Sequence, residues 1–120
     1  MRDFTSLEKI VLKNIAALAI ADQPALDMQL ATAEVTSREN SGSGFFTYLS
    51  VNRANTFSVT GERLRSGADA YISGYDHPTG FILWFKEGYA DCLEGYLYDR
   101  TTAGVDLTSL NFVKFEDYNS

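Results

Sequence analysis

Residues 81–98 read Phe-Ile-Leu-Trp-Phe-Lys-Glu-Gly-Tyr-Ala-Asp-Cys-Leu-Glu-Gly-Tyr-Leu-Tyr and predict the centre of the fold. Residues 81–85 are apolar at both alternating positions. This is typical of a central strand that is buried on both faces, or covered by a helix on one face and by a partner on the other. Residues 86–88 predict a turn, and residues 89–98 alternate as the returning strand. The segment therefore predicts an antiparallel hairpin.

Shorter β-rich segments surround this hairpin. Residues 40–44, Asn-Ser-Gly-Ser-Gly, carry a strong turn signal and precede the β-rich run 45–51, which predicts a second hairpin. Turn-rich residues also separate the remaining apolar segments from one another. Further strands are predicted at 57–60, 70–75 and 110–115.

A helix is predicted to begin near the N-terminus. Thr5 and Glu8 have the spacing of a capping box, in which each side chain bonds the other residue's backbone amide. Pro24 limits the helix, because proline removes an intrahelical bond and clashes with the preceding turn. At helical spacing one apolar face is predicted, with Asn14 near its middle. Its members are Leu7, Ile10, Val11, Ile15 and Leu18.

Residues 24–35 allow two interpretations. Apolar residues alternate from Leu26 to Leu30 and continue on the other parity from Ala31 to Val35, which favours a strand with a bulge near Ala31 or Thr32. The alternative is a second short helix over residues 24–31 with Pro24 as its first residue.

The fold predicted from these elements is α+β. An N-terminal helix packs on a meandering antiparallel sheet of about six strands, whose other face is partly open and rich in tyrosine. The chain has 120 residues, of which 45% are hydrophobic and 22% charged. These values suit one globular domain over residues 1–120.

Charge and composition exclude several classes of partner. Sixteen acidic residues against ten basic give a net charge of -6, so nucleic acid and anionic membranes are poor partners. No apolar stretch has the length of a membrane span. Cys92 is the only cysteine and no signal peptide is evident, so we expect a cytoplasmic protein.

Few residues suggest chemistry. His77 is the only histidine, and its Asp-His-Pro-Thr-Gly context is typical of a surface turn rather than a catalytic group. One histidine and one cysteine do not make a zinc site, so neither a metal nor a cofactor is predicted. Cys92 has no basic neighbour and is expected to be a small buried side chain. A catalytic function is therefore not favoured.

Glu94 is the most informative polar residue. In the predicted strand it shares one face with Cys92, Tyr96 and Tyr98, so we expect a partly buried carboxylate that needs a charged partner. Arg38, Arg53 or Arg100 could supply that charge, and Arg38 is the preferred partner. The pair is then either a structural ion pair or part of a site. Glu39 could share a proton with Glu94 as a second carboxylate.

Two functions are compatible with these residues. The first is a non-catalytic protein-binding module, a small acidic interaction protein of the immunity type, whose charge steers association and whose aromatic strands form a protein contact. The second is a small-ligand or enzymatic pocket around Arg38, Glu39 and Glu94, with His77 at its rim. The candidate binding residues are Arg38, Glu39, His77, Glu94 and Tyr96. The two-sided apolar strand 81–85 also predicts a homodimer.

Two motifs resemble a known group of proteins. They are Arg38-Glu39 followed by the turn Gly42-Ser43-Gly44-Phe45-Phe46, and Leu93-Glu94-Gly95-Tyr96 after the apolar strand. Together they resemble a group of small uncharacterised bacterial proteins. The resemblance implies a bacterial origin and brings no established activity with it.

Overall fold

The computed structural model describes residues 3–59, 63–98, 101–102 and 104–116. Within them, two helices lie on one face of an antiparallel sheet, so the predicted α+β class is confirmed. The helices are α1 (Ser6–Leu18) and α2 (Gln23–Thr32). The strands are β1 (Glu34–Asn40), β2 (Gly44–Ser50), β3 (Leu64–Ser66), β4 (Ala70–Ile72), β5 (Thr79–Lys86), β6 (Tyr89–Leu97) and β7 (Phe112–Phe115).

The predicted central hairpin is the β5–β6 pair. The strand order is β1-β2-β6-β5-β4-β7, with β3 also paired to β5. Leu83 lies opposite Leu93, and the register shifts between Trp84 and Phe85. The second predicted hairpin, β1–β2, joins the sheet where β2 pairs with β6.

The smaller strands differ from their predicted positions. No strand forms over residues 57–59, where Val59 makes one ladder-like bond, from its amide to the Gly88 carbonyl at 2.8 Å; residue 60 lies outside the described residues. Strand 70–75 ends at Ile72, because Gly74 adopts a positive φ of 95° in a turn. The predicted strand 110–115 begins at Phe112, and β3 was not predicted.

The strand predicted after Pro24 is wrong, and the alternative of a second short helix is correct. Helix α2 buries Leu26 and Gln29, which are three residues apart and so lie on one side of a helix. Gln29 is fully buried, and its Nε2 donates to the carbonyls of Phe57 and Gly88 at 2.7 and 3.1 Å. Its Oε1 accepts from the Ala90 amide at 2.9 Å. This amide side chain therefore fixes α2 against the start of β6.

Helix α1 begins at the predicted capping box but presents a different face to the sheet. Leu7, Val11 and Ile15 are buried as predicted, whereas Ile10 and Leu18 are 37% and 57% exposed. The buried arc is rotated by about 80° toward Glu8 and its helical neighbours. The additional buried residues are Glu8, Leu12 and Ala16.

Apolar packing joins the helices to the sheet. The inward-facing side chains of β2, β5 and β6 contact both helices in one hydrophobic cluster. Its largest fully buried members include Leu7, Leu26, Phe81 and Leu93. Among the described residues, no helix is long and apolar enough to span a membrane.

The position of α1 predicts a large loss of stability for one aspartate substitution and a small change for another. Val11→Asp places an unpaired charge in the core and is expected to lower the free energy of unfolding by about 3 kcal/mol or more. Leu18→Asp, at an exposed position on the same helix, is expected to change it by less than about 0.5 kcal/mol. Urea denaturation of both variants measures the difference, and equal losses would contradict the rotated face.

Candidate functional site

The sheet face opposite the helices carries a cluster of aromatic and acidic side chains, which we call the open face. Its residues alternate along the strands with the buried ones, so they point away from α1 and α2. The open face consists of Glu39 on β1, Phe46 and Tyr48 on β2, Ile82 and Trp84 on β5, and Cys92, Glu94 and Tyr96 on β6.

The strand register arranges these side chains in rows. Phe46, Glu94 and Ile82 are direct cross-strand neighbours on three adjacent strands. Tyr48, Cys92 and Trp84 form the next row. Apart from buried Cys92, the members of these two rows are half-buried. The open face is therefore a continuous surface with a carboxylate near its centre.

Glu94 is held by an indole rather than by an arginine. The Trp84 Nε1–H donates to Glu94 Oε1 at 3.0 Å, across the β5–β6 hairpin. Within the described residues, no hydrogen bond or ion pair reaches the second carboxylate oxygen, Oε2. The carboxylate is thus oriented by one bond and retains an acceptor that faces away from the helices.

The prediction that Arg38 holds Glu94 is wrong, because Arg38 lies on the helix side of the sheet. Its Nη2 and Nε donate to the two carboxylate oxygens of Glu8 at 2.6 and 3.0 Å. The Thr47 hydroxyl and the Thr5 amide complete the coordination of Glu8, at 2.5 and 2.8 Å. This bonding to Glu8 raises the pKa of Arg38. The partner of Arg38 is therefore the capping-box glutamate.

The five predicted binding residues do not form one pocket. Glu39, Glu94 and Tyr96 share the open face, Arg38 lies on the opposite side, and His77 is exposed in the turn before β5. Glu39 lies beside the Tyr48 hydroxyl, and desolvation and this carboxylate raise the pKa of Tyr48. The register places Phe46 between the strands that carry Glu39 and Glu94.

A cleft of about 300 Å³ beside β1 includes Arg38 and Glu39 but not the other three predicted residues. Its polar lining is paired internally. Asn40 Nδ2 donates to the Thr102 and Val105 carbonyls at 2.5 and 3.0 Å, and Thr108 Oγ1 donates to Asp106 at 2.6 Å. The two Asn40 bonds hold Thr102 and Val105 against the end of β1.

Tyr96 is positioned by a glycine that the sequence alone did not single out. A Cβ atom at Gly80, the cross-strand neighbour of Tyr96, would lie 2.2 Å from the Tyr96 ring. The Tyr96 ring therefore lies over Gly80 on β5, and it forms a T-shaped pair with the Tyr98 ring, with 5.5 Å between the centroids. The signal was a glycine inside a strand, which often marks close approach by another group.

Cys92 is buried, as predicted, at 6% exposure. Burial, with Asp91 and Glu94 nearby, raises the pKa of the thiol to about 12. The described residues contain no group of three or more His, Cys, Asp or Glu side chains that could hold a metal ion. The open face therefore provides apolar and hydrogen-bonding contacts rather than a nucleophile.

Comparisons of the chain with protein-family models, curated proteins and solved structures give no match. The resemblance to small bacterial proteins thus stays a prediction. The chain is an α+β protein with two helices on one face of an antiparallel sheet and an aromatic, acidic surface on the other.

The Glu8–Arg38 contact predicts a charge-specific loss of stability. Glu8→Gln leaves the guanidinium without its counter-ion in a partly buried site, so we expect the free energy of unfolding to fall by about 3 kcal/mol. Glu87→Gln is the matched control, because Glu87 pairs with Arg53 at the surface, at 3.6 Å. For Glu87→Gln we expect the free energy of unfolding to fall by less than about 1 kcal/mol. Equal losses in urea denaturation would contradict the assignment.

The Cys92 thiol is expected to react slowly and with little dependence on pH. Because its pKa is about 12, the native thiol stays protonated across pH 7–9, whereas an unfolded thiol with a pKa of about 8.5 becomes thiolate in that range. Labelling with a maleimide should therefore accelerate with pH in urea-unfolded protein only. A native rate that equals the unfolded rate at pH 9 would refute this.

Proposed function

We propose that the protein is a non-catalytic binding module that docks a protein partner on its open face. The observation that carries this proposal is the aromatic surface formed by half-buried Phe46, Tyr48, Trp84 and Tyr96 on the sheet face opposite both helices. Tyrosine, tryptophan and phenylalanine are enriched at protein interfaces, where they bury large area at low entropic cost.

Charge favours a basic partner. The net charge is -6, and the charged residues of the open face, Glu39 and Glu94, are both acidic. Such a field raises the association rate with a positively charged protein and disfavours nucleic acid. A cytoplasmic location fits the free, buried Cys92.

A homodimer through the same surface is the competing occupant. Strand β5 has apolar side chains on both faces, which supports self-association. An isologous contact, however, sets each surface against its own copy and would add Glu39 and Glu94 of one subunit to those of the other. Like charges at an interface are unfavourable, so the charge pattern supports a different protein as partner.

Paired variants test the proposal. The Phe46 and Tyr48 rings are stacked with their centroids 6.2 Å apart, and replacing both residues by Ala removes that aromatic surface. The control is Phe57→Ala, since Phe57 is 69% exposed and is not part of the open face. We expect the wild type and Phe57→Ala to capture the same proteins from a cell lysate. The amount of these proteins captured by Phe46→Ala/Tyr48→Ala should be at least tenfold lower.

Two results would contradict the proposal. One is equal capture by the wild type and a folded Phe46→Ala/Tyr48→Ala variant, with folding checked by its melting temperature. The other is a sedimentation mass of two subunits for the wild type that falls to one in the double variant, which would assign the open face to a homodimer.

A further inference from the structure

We propose that the partner presents an arginine side chain to Glu94, an inference that rests on the proposed function and specifies the partner's chemistry. Glu94 lies in the middle strand of the three that form the centre of the open face, with Phe46 and Ile82 as its direct cross-strand neighbours. A cation bound to this carboxylate would therefore lie beside apolar and aromatic side chains.

The carboxylate is prepared for one further donor. The Trp84 Nε1–H donates to Glu94 Oε1 at 3.0 Å and so orients the Glu94 side chain. Glu94 Oε2 receives no hydrogen bond or ion pair from the described residues. Glu94 is half-buried, so the water that a partner displaces leaves a carboxylate in a less polar environment than bulk water. A charge-assisted bond is stronger there than at a fully hydrated position.

Arginine suits this position better than lysine. Its planar guanidinium stacks on aromatic rings and is more weakly hydrated than an ammonium group, so it loses less on leaving water. Phe46 and Trp84 supply rings on either side of the β6 strand that carries Glu94. The open face therefore combines the two contacts that an arginine can make at once.

The chain makes the same combination within itself. The Arg53 guanidinium lies 4.6 Å from the centre of the Tyr89 ring and 3.6 Å from the Glu87 carboxylate. Arg38 and Arg65 are bonded to Glu8 and Asp22 on the helix side. Neither these three arginines nor Arg63 bonds Glu94 within the described residues, and Arg100, the remaining predicted partner, lies outside them. The described contacts thus leave Glu94 Oε2 for an arginine from a partner.

Trp84 provides a direct reporter, because it is the only tryptophan in the chain. The probes are acetyl-Arg-Arg-Arg-amide and acetyl-Lys-Lys-Lys-amide, which carry equal charge, and the readout is the position of the Trp84 indole N–H signal in a proton–nitrogen NMR spectrum. We expect the arginine probe to bind at least fivefold more tightly than the lysine probe. Glu94→Gln should weaken the arginine probe at least fivefold.

Glu39→Gln is the matched control, because it removes one charge from the same face without touching the Trp84–Glu94 bond. We expect it to weaken the arginine probe less than twofold. The arginine proposal is overturned if the two probes bind with equal affinity, or if Glu94→Gln binds the arginine probe as tightly as the wild type does. It is also overturned if Glu39→Gln weakens the arginine probe as much as Glu94→Gln does. Melting temperatures of both variants check that they are folded.

The two proposals can fail separately. If Glu94→Gln still captures the proteins that Phe46→Ala/Tyr48→Ala loses, the binding module stands and the arginine contact does not. If the arginine probe behaves as expected but the double variant captures the same proteins as the wild type, Glu94 binds arginine and the open face is not the docking surface.

Discussion

The buried carboxylate of Glu8 joins the start of α1 to the first two strands of the sheet. It is fully buried, and its two oxygens accept from the Thr5 amide, the Thr47 hydroxyl and two nitrogens of Arg38. These donors belong to the start of α1, to β2 and to β1. A buried charge is tolerated only when its partners are complete, so the first helical turn and the first hairpin must occupy this geometry together.

This constraint also determines which residues reach the open face. Because Arg38 must point inward to Glu8, its neighbour Glu39 points outward by the alternation of a strand. Thr47 likewise points inward, which leaves Phe46 and Tyr48 on the outer side of β2. The inward bonding of Arg38 and Thr47 to Glu8 thus places the β1 and β2 members of the open face on the outer side.

Local patterns predicted the elements that depend on neighbouring residues, namely the capping box at Thr5 and the hairpin at 81–98. They failed where a contact between residues distant in sequence determines the local structure. The burial of Glu8 depends on Arg38 and Thr47, more than 25 residues away in sequence, and so rotates α1 away from its apolar stripe. At the site, strand parity placed Cys92, Glu94 and Tyr96 together correctly. The partner of Glu94 was missed because it follows from the cross-strand register of Trp84.

The side chains of the open face meet two requirements. A surface that docks a protein must lose water readily, yet the free chain must remain hydrated on the same side. Tyr48, Trp84 and Tyr96 each join an apolar ring to a polar tip, so the ring edges can stay dry against the strand while the tips reach water or a neighbour. In Trp84 that tip is already bonded to Glu94 at 3.0 Å. The bond lets the ring and carboxylate act as one preformed unit, which lowers the ordering cost when a partner binds.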